Sequence, residues 1–308
     1  MSETTASISS NKRPTLPRGR GRVGKYKHPS AYVMLLPSYL IYIIFSFVPV
    51  VITIYFSFTN YDLYKRMDFV GLQNYIDLWS DESFKIAARN TIIYSIFTIV
   101  PQMALGLWVA VMVNKRVFAQ KLHRMAIYLP NVTSMVAMSM VWLWLYDPSM
   151  GLINHAMKWV GLSPQKWLYD TSLALPSIIV MSLWKLVGFN MIIYLTGLQQ
   201  IPADLYEAAR IDGASSFRQF RSITLPLLTP TSFFLLVMGT VSSFSVFEQV
   251  NIMTQGGPVN ATTTIVHQIY ERAFSFFQMG YASAMAMTLV VATLLLTLLN
   301  FKMSKQHY

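Results

Sequence analysis

The sequence contains no cysteine, and charged residues make up only 12% of its 308 positions. Without cysteine the chain forms no disulfide and offers no thiol nucleophile or thiolate metal ligand. Soluble globular domains carry roughly 25% charged residues, so this chain has about half of the usual solubilising charge. Hydrophobic residues account for 54% of it. The composition therefore excludes an ordinary soluble globule and predicts a membrane protein.

Sequence motifs of several enzyme classes are also missing. The chain has no G-x-x-x-x-G-K-[ST] phosphate loop, no H-E-x-x-H metal motif and no G-x-S-x-G nucleophile turn. Carboxylates inside the apolar stretches, which proton-coupled transporters use as relays, are nearly absent, and Glu248 lies near the end of one stretch. We therefore expect no catalytic residue, no metal site and no ATP site in this chain, and proton coupling has little support.

Six stretches are long and apolar enough to cross a bilayer, which requires about 20 mostly apolar residues in a helix. The predicted spans are 32–58, 91–114, 125–146, about 173–198, about 227–247 and 273–301. The first stretch is too long for the core of a signal peptide and is expected to remain as an anchor. Pro37, Pro49 and Pro101 fall inside spans, which predicts packed helices whose neighbours satisfy the freed carbonyls. The expected fold class is all-α, a polytopic protein with six transmembrane helices.

Basic residues are distributed unequally between the two sides that six spans define. The chain has 24 Lys and Arg against 13 Asp and Glu, and 16 of the 24 fall at the termini and in alternate loops. Because cytoplasmic loops are enriched in Lys and Arg, both termini are predicted to be cytoplasmic. Residues 1–30 form a basic tail that is expected to be disordered and to favour anionic lipid over nucleic acid. Residues 31–308 form the transmembrane domain.

The loop between the fourth and fifth predicted spans, residues 199–226, reads QQIPADLYEAARIDGASSFRQFRSITLP. It predicts two short helices. Pro202 suits the first position of one helix, and Gly213 suits the left-handed residue that follows it. Ser215 or Ser216 caps the second helix. A short helix of small, apolar and charged residues either docks into a groove of another protein or lies in solvent as an ordinary loop.

Residue spacing in this loop resembles the EAA loop of the membrane subunits of bacterial binding-protein-dependent ABC importers. EAA at 207–209 is followed after three residues by Gly213 and after nine more by I-x-L-P at 223–226. Other segments resemble the carbohydrate-uptake branch, and TQGGP resembles its maltose and glycerol-phosphate "F/A-type" permeases. These segments are FVGLQNY at 69–75, WLWLY at 142–146, LQQIP at 198–202 and TQGGP at 254–258. The resemblance covers about 270 residues, but the chain lacks the two extra N-terminal spans and the large periplasmic insertion of the maltose subunit.

This resemblance implies the type I ABC importer permease fold and a transporter subunit, not an enzyme, in the bacterial cytoplasmic (inner) membrane. The implied partners are a second homologous permease, two ATPase subunits that bind ATP and Mg, and an extracytoplasmic solute-binding protein. The implied substrate is a sugar or oligosaccharide. Alternatives are glycerol phosphate or another polar solute carried by the same machinery, and, as a different class, a stand-alone secondary transporter.

The same resemblance implies that residues 203–215 form a coupling helix held in a cleft of the ATPase. Glu207 would accept a charge-assisted hydrogen bond from a basic residue of the ATPase. Small side chains would permit close approach, and a glycine would provide the turn between the helices. The implied coupling residues are Glu207, Ala208, Ala209, Asp212 and Gly213.

Polar and aromatic side chains in the fourth and fifth spans are the candidates for a solute path. Hydroxyl and amide groups bind sugars, and an aromatic face supports the ring. The alternative is that these groups mediate helix packing. Lys185, a basic residue within a span, either pairs structurally, with Glu248 or a partner subunit, or contacts solute. The candidates are Trp184, Asn190, Tyr194, Ser243, Ser245 and Gln249.

Overall fold

The computed structural model describes residues 29–64, 67–114 and 119–305. The basic tail predicted at 1–30 lies almost wholly outside the described residues. In the described residues, β pairing is limited to an isolated antiparallel bridge between Thr59 and Phe69. The chain divides into two compact units, one ending at Pro49 and the other beginning at Val50.

The first predicted span is helical. Helix α1 (Pro29–Tyr42) leads into a π-helical turn (Ile43–Phe47), and α2 (Val48–Phe56) follows. All side chains from 34 to 50 are exposed within the chain. A helix that is apolar all round is covered by lipid or by another protein, so this segment meets the expectation for a membrane anchor.

The second unit is a helical assembly. Its helices are α3 (Gln73–Ser80), α4 (Glu82–Asn114), α5 (Gln120–Val132), α6 (Met135–Leu145), α7 (Leu152–Trp159), α8 (Ala174–Gln199), α9 (Ala203–Ile211), α10 (Ser216–Gln219), α11 (Leu225–Leu227), α12 (Thr229–Phe244), α13 (Glu248–Met253), α14 (Ile265–Tyr270) and α15 (Met279–Lys305). A 3-10 turn (Trp167–Tyr169) precedes α8, and π-helical turns lie at Phe220–Thr224 and Glu271–Ser275.

Four helices of the described chain are each long and apolar enough to cross a membrane: Met34–Phe56, Glu82–Asn114, Ala174–Gln199 and Met279–Lys302. Two further crossings are broken. The helices α5 and α6 meet at 97°, and Ser216–Leu227 meets α12 at 62°. The six predicted spans therefore correspond to four continuous helices and two bent pairs, and the count of six holds if each pair crosses once.

Two helices begin six or more residues away from the predicted apolar stretches. Helix α4 begins at Glu82, nine residues before the stretch at 91–114, because Asp81 Oδ1 accepts hydrogen bonds from the backbone N–H groups of Ser83 and Phe84 and caps it. Helix α15 begins at Met279, six residues after the start of the stretch at 273–301, and Glu271–Ser275 forms a separate π-helical turn. An apolar stretch therefore does not by itself fix where a helix begins.

Helix α8 packs against both α4 and α5 at positions without a Cβ atom. A Cβ added at Gly106 of α4 would lie 2.4 Å from the Cβ of Asn190, and one at Gly188 would lie 2.3 Å from the carbonyl oxygen of Ile127. Small residues allow such close approach of membrane helices, where packing replaces the hydrophobic effect. Helix α8 is therefore the centre of the unit.

Candidate functional site

The first helix of the predicted coupling loop is present as α9, which follows α8 after three residues. Pro202 stands one position outside the expected place. It is the N-cap residue, with φ −57° and ψ 133°, and is not the first helical residue. Its extended ψ turns the chain out of α8 before α9 begins.

Gly213 adopts the predicted left-handed conformation, with φ +74°. The N–H of Ala214 donates to the carbonyl of Ala209 at 2.8 Å, and the N–H of Gly213 donates to the carbonyl of Arg210 at 3.1 Å. These two bonds form a Schellman motif, which satisfies the last carbonyls of α9. No atom lies within 4 Å of where a Cβ would stand, so backbone conformation and not space requires the glycine.

The second predicted helix is short. Ser215, and not Ser216, caps it, because its Oγ accepts the N–H of Arg218 at 3.4 Å. Helix α10 then passes through the π-helical turn into α11. The loop folds back on itself, since the hydroxyls of Tyr206 and Thr224 are hydrogen-bonded at 2.9 Å.

The outer face of α9 and the turn after it lacks partners within the described chain. Glu207 is exposed and forms no ion pair with another described residue. Ile211 is 87% exposed and Phe217 is 72% exposed. Ala208 and Asp212 are also exposed, whereas Ala209 is half-buried. An exposed mixture of large apolar and acidic side chains on an ordered turn is typical of a protein contact surface.

The solute-path candidates do not form one cluster, and most have hydrogen-bond partners inside the chain. Tyr194 donates from its Oη to Ser232 Oγ at 3.1 Å. Ser243 and Ser245 donate to backbone carbonyls of their own helix region at 3.1 and 3.0 Å. Trp184 is exposed, with its ring centroid 5.7 Å from that of Trp142. The bonds of the two serines stay within one helix region, so they support neither the packing alternative nor a solute contact.

Gln249 belongs to a buried network that joins three helices. Its Nε2 donates to Tyr94 Oη at 2.9 Å, and Tyr94 donates to Ser182 Oγ at 2.9 Å. Ser182 in turn donates to the carbonyl of Ile178 at 2.8 Å. Sequence analysis missed Tyr94 and Ser182, because their pairing with Gln249 joins positions far apart in the chain.

Asn190 lines a cavity of about 170 Å³ between α4, α8 and α12. Two amide oxygens of this cavity, Asn190 Oδ1 and Gln102 Oε1, are buried without a hydrogen-bond partner. Sequence analysis missed Gln102, although an amide in the middle of an apolar span was a usable signal. The lining residues are Gln102, Leu186, Phe189, Asn190, Leu235, Met238, Gly239 and Ser242.

Lys185 is 5% exposed and hydrogen-bonded inside the chain, whereas its interaction with the expected partner Glu248 is electrostatic, without an ion pair among the described residues. Its Nζ donates to the carbonyls of Pro130, Asn131 and Thr133 at 3.0, 3.2 and 2.5 Å. Backbone dipoles of a neighbouring helix therefore solvate this buried ammonium group.

Comparison with known protein families identifies the class of this chain. The family model described as "Binding-protein-dependent transport system inner membrane component" matches residues 102–305. The chain therefore belongs to this family of ABC importer permeases, and it is a membrane-embedded transporter subunit and not an enzyme.

Similar proteins with curated names are permeases over nearly their whole length. The probable ABC transporter permease protein YurN of Bacillus subtilis (strain 168) is 34% identical over 279 residues, which cover 89% of this chain and 95% of that protein. The sn-glycerol-3-phosphate transport system permease protein UgpA of Yersinia pestis is 33% identical over 275 residues, which cover 88% and 92% of the two chains.

Solved structures show the same fold. A chain of a bacterial ABC transporter involved in the import of the acidic polysaccharide alginate superposes with a TM-score of 0.80 at 27% identity, covering 90% of this chain and 95% of that one. The same transporter has been solved in complex with a periplasmic protein that carries an alginate pentasaccharide. The expected all-α, type I ABC importer permease fold is confirmed.

Replacing an unpartnered buried amide and replacing a hydrogen-bonded one should change the stability of the fold in opposite directions. Gln102→Met removes a buried acceptor without a partner, so we expect it to stabilise the fold by about 1 kcal/mol. Gln249→Met removes the bond to Tyr94, so we expect it to destabilise the fold by about 1 kcal/mol. Thermal unfolding of the purified complex in lipid measures both. A fall in stability for Gln102→Met would show that its oxygen has a partner.

Proposed function

We propose that this chain is one of two permease subunits of an ATP-driven importer for a sugar or oligosaccharide. The observation that carries the coupling part of the proposal is the exposed, ordered turn from α9 to α10. Its EAA residues lie on a helix that follows α8 after three residues, and its acidic and apolar side chains have no described partner.

In this proposal the loop and both termini face the cytoplasm of a bacterial cell, in its cytoplasmic membrane. A second homologous permease covers exposed apolar helices of this chain, as lipid does elsewhere, and an extracytoplasmic solute-binding protein delivers the solute. ATP and Mg bind to two ATPase subunits, and this chain holds neither. The basic residues on the cytoplasmic side support this orientation.

Coupling follows from the connection between the loop and the spans. Glu207 accepts a hydrogen bond from a basic side chain of the ATPase, while Ala208 and Ala209 allow close contact. Asp212 adds negative charge beside the turn at Gly213. When ATP closes the ATPase pair, the docked loops of the two permeases move together, and α8 moves with α9. The path then opens outward as a rigid-body change between two states.

The cavity between α4, α8 and α12 supports the choice of substrate class. It is lined by two amide side chains, Gln102 and Asn190, and a polyhydroxylated solute offers hydroxyls that hydrogen-bond to amides. The two amide oxygens are closed off from the open volume in this structure, so in this proposal they meet the solute only after the surrounding helices move. Among the described residues that line the cavity there is no Lys or Arg, and all three N–H groups of Lys185 are taken by carbonyls. A neutral sugar therefore fits better than glycerol phosphate. In this path Trp184 supplies an aromatic face, and Tyr194, Ser243, Ser245 and Gln249 shape the wall.

Removing the amides that meet the solute should slow uptake. We expect Gln102→Met and Asn190→Leu each to lower uptake about three- to tenfold at low solute concentration, because each loses a hydrogen bond worth about 0.5–1.5 kcal/mol. Uptake of labelled oligosaccharide into proteoliposomes, with the cognate binding protein, measures this.

Thr196→Val on the exposed side of α8 is the control and should keep normal uptake, because its hydroxyl bonds only to its own helix. Wild-type uptake in both amide variants would remove the cavity from the solute path. The stabilisation expected for Gln102→Met separates a loss of transport from a folding defect.

Two glycines offer a matched test of the coupling loop. Gly213 and Gly161 both have positive φ, +74° and +78°, and neither has an atom within 4 Å of an added Cβ. Valine therefore strains both turns alike, but only Gly213→Val distorts the surface that would meet the ATPase.

We expect Gly213→Val and Glu207→Lys to abolish uptake while membrane insertion stays normal, and Gly161→Val to keep uptake. Uptake and membrane abundance are measured together. If Gly213→Val and Gly161→Val transport equally well, the loop does not couple transport to ATP.

A further inference from the structure

The third predicted span is interrupted at a helix end, where backbone carbonyls lack hydrogen-bond partners within their own helix. Helix α5 ends at Val132, and α6 begins at Met135 after a bend of 97°. The last carbonyls of a helix have no partners within it, and the hydrocarbon core has no water to supply them. A break at this depth therefore needs hydrogen-bond donors from another part of the protein.

Lys185 supplies those donors from the middle of α8. Its ammonium group has three N–H donors, and the structure gives it three acceptors, the carbonyls of Pro130, Asn131 and Thr133. The first two carbonyls belong to the last turn of α5, and the third lies at the bend. The negative end of the α5 dipole also favours a cation there. The ammonium group and the three carbonyls therefore satisfy each other's hydrogen-bonding groups.

A second contact joins the same two helices three residues further along α8. A Cβ at Gly188 would stand 2.3 Å from the carbonyl oxygen of Ile127 and 2.9 Å from the Cα of Tyr128. The backbones of α5 and α8 therefore touch beside the Lys185 contact. Two adjacent contacts restrain sliding and rotation better than one.

The other half of the broken span also joins this assembly, by contacts that do not involve Lys185. Helix α6 packs against α13, and the ring centroid of its Trp142 lies 5.7 Å from that of Trp184 in α8. Tyr146, the residue after α6, donates from its Oη to the carbonyl of Ser177 at 3.1 Å. Lys185 therefore holds α5 and not α6.

We propose that Lys185 is a positioning residue that fastens α5 to α8, so that α5, α8 and the coupling helix α9 move as one body. The fastening stands on the geometry of this chain alone. Its consequence for transport rests on the proposed function, in which the ATPase moves α9.

This chain has no cysteine of its own, so introduced cysteines are its only labelling sites. In a complex whose other subunits carry no cysteine, spin labels at Leu129→Cys and Thr196→Cys report α5 against α8. Labels at Met140→Cys and Thr196→Cys report α6 against α8 and are the matched control, because Lys185 does not join those helices. All three positions are exposed in the chain. We expect the α5–α8 distance to stay narrow and unchanged on ATP binding.

Lys185→Met keeps the length of the side chain and removes its donors. We expect it to broaden the α5–α8 distance distribution, with or without the ATPase, and to lower uptake at least tenfold while ATP hydrolysis continues. Lys185→Arg retains donors for the carbonyls and should restore the narrow distribution in part.

Two results would overturn the proposal: an α5–α8 distance that changes with ATP in the wild type, or a narrow distribution and normal uptake in Lys185→Met. If Lys185→Met fails to insert into the membrane, the wild-type distance measurement alone tests the proposal. If Lys185→Met broadens the distribution but leaves uptake normal, the fastening stands and its proposed part in coupling to the ATPase fails.

Discussion

The structure depends on one constraint: a polar group within the hydrocarbon core must find its partner inside the protein. Lys185 meets it by donating to the carbonyls at the break of the third span, and this contact permits a bend of 97° there. Gln249 meets it by donating to Tyr94 in the network that ties α13 to α4 and α8. Within the described chain it is not met by Ser95 Oγ of α4 or by the side-chain oxygens of Gln102 and Asn190. The two amides line the α4–α8–α12 cavity, where the proposed function expects a solute.

The same constraint gives α8 its central role. It packs closely on α4 at Gly106, holds α5 through Lys185 and Gly188, and continues into α9 after three residues. The helix that lines the cavity is thus also the helix that leads to the proposed coupling loop. In the proposed function, a movement imposed on α9 reaches the solute path across this short connection.

Local sequence patterns predicted those features of the fold that depend on residues close together in the chain. The fourth span, expected at about 173–198, is α8 at Ala174–Gln199, and the turn at Gly213 follows from spacing alone. The break in the third span was missed because its donor lies more than 50 residues away on another helix. Gln102 was missed because its unpartnered oxygen becomes evident only beside Asn190. Composition reports burial in lipid, whereas the partners of buried polar groups depend on three-dimensional contacts.

The central claim, that the turn after α9 docks on an ATPase, can be tested by photo-crosslinking in membranes that contain the whole transporter. A photoreactive residue at Ile211, which is 87% exposed, is compared with one at Trp159, which is 91% exposed in α7 on the opposite predicted side. The account predicts a covalent adduct with the ATPase subunit from position 211 and none from position 159. An ATPase adduct from position 159, or its absence from position 211, would contradict it.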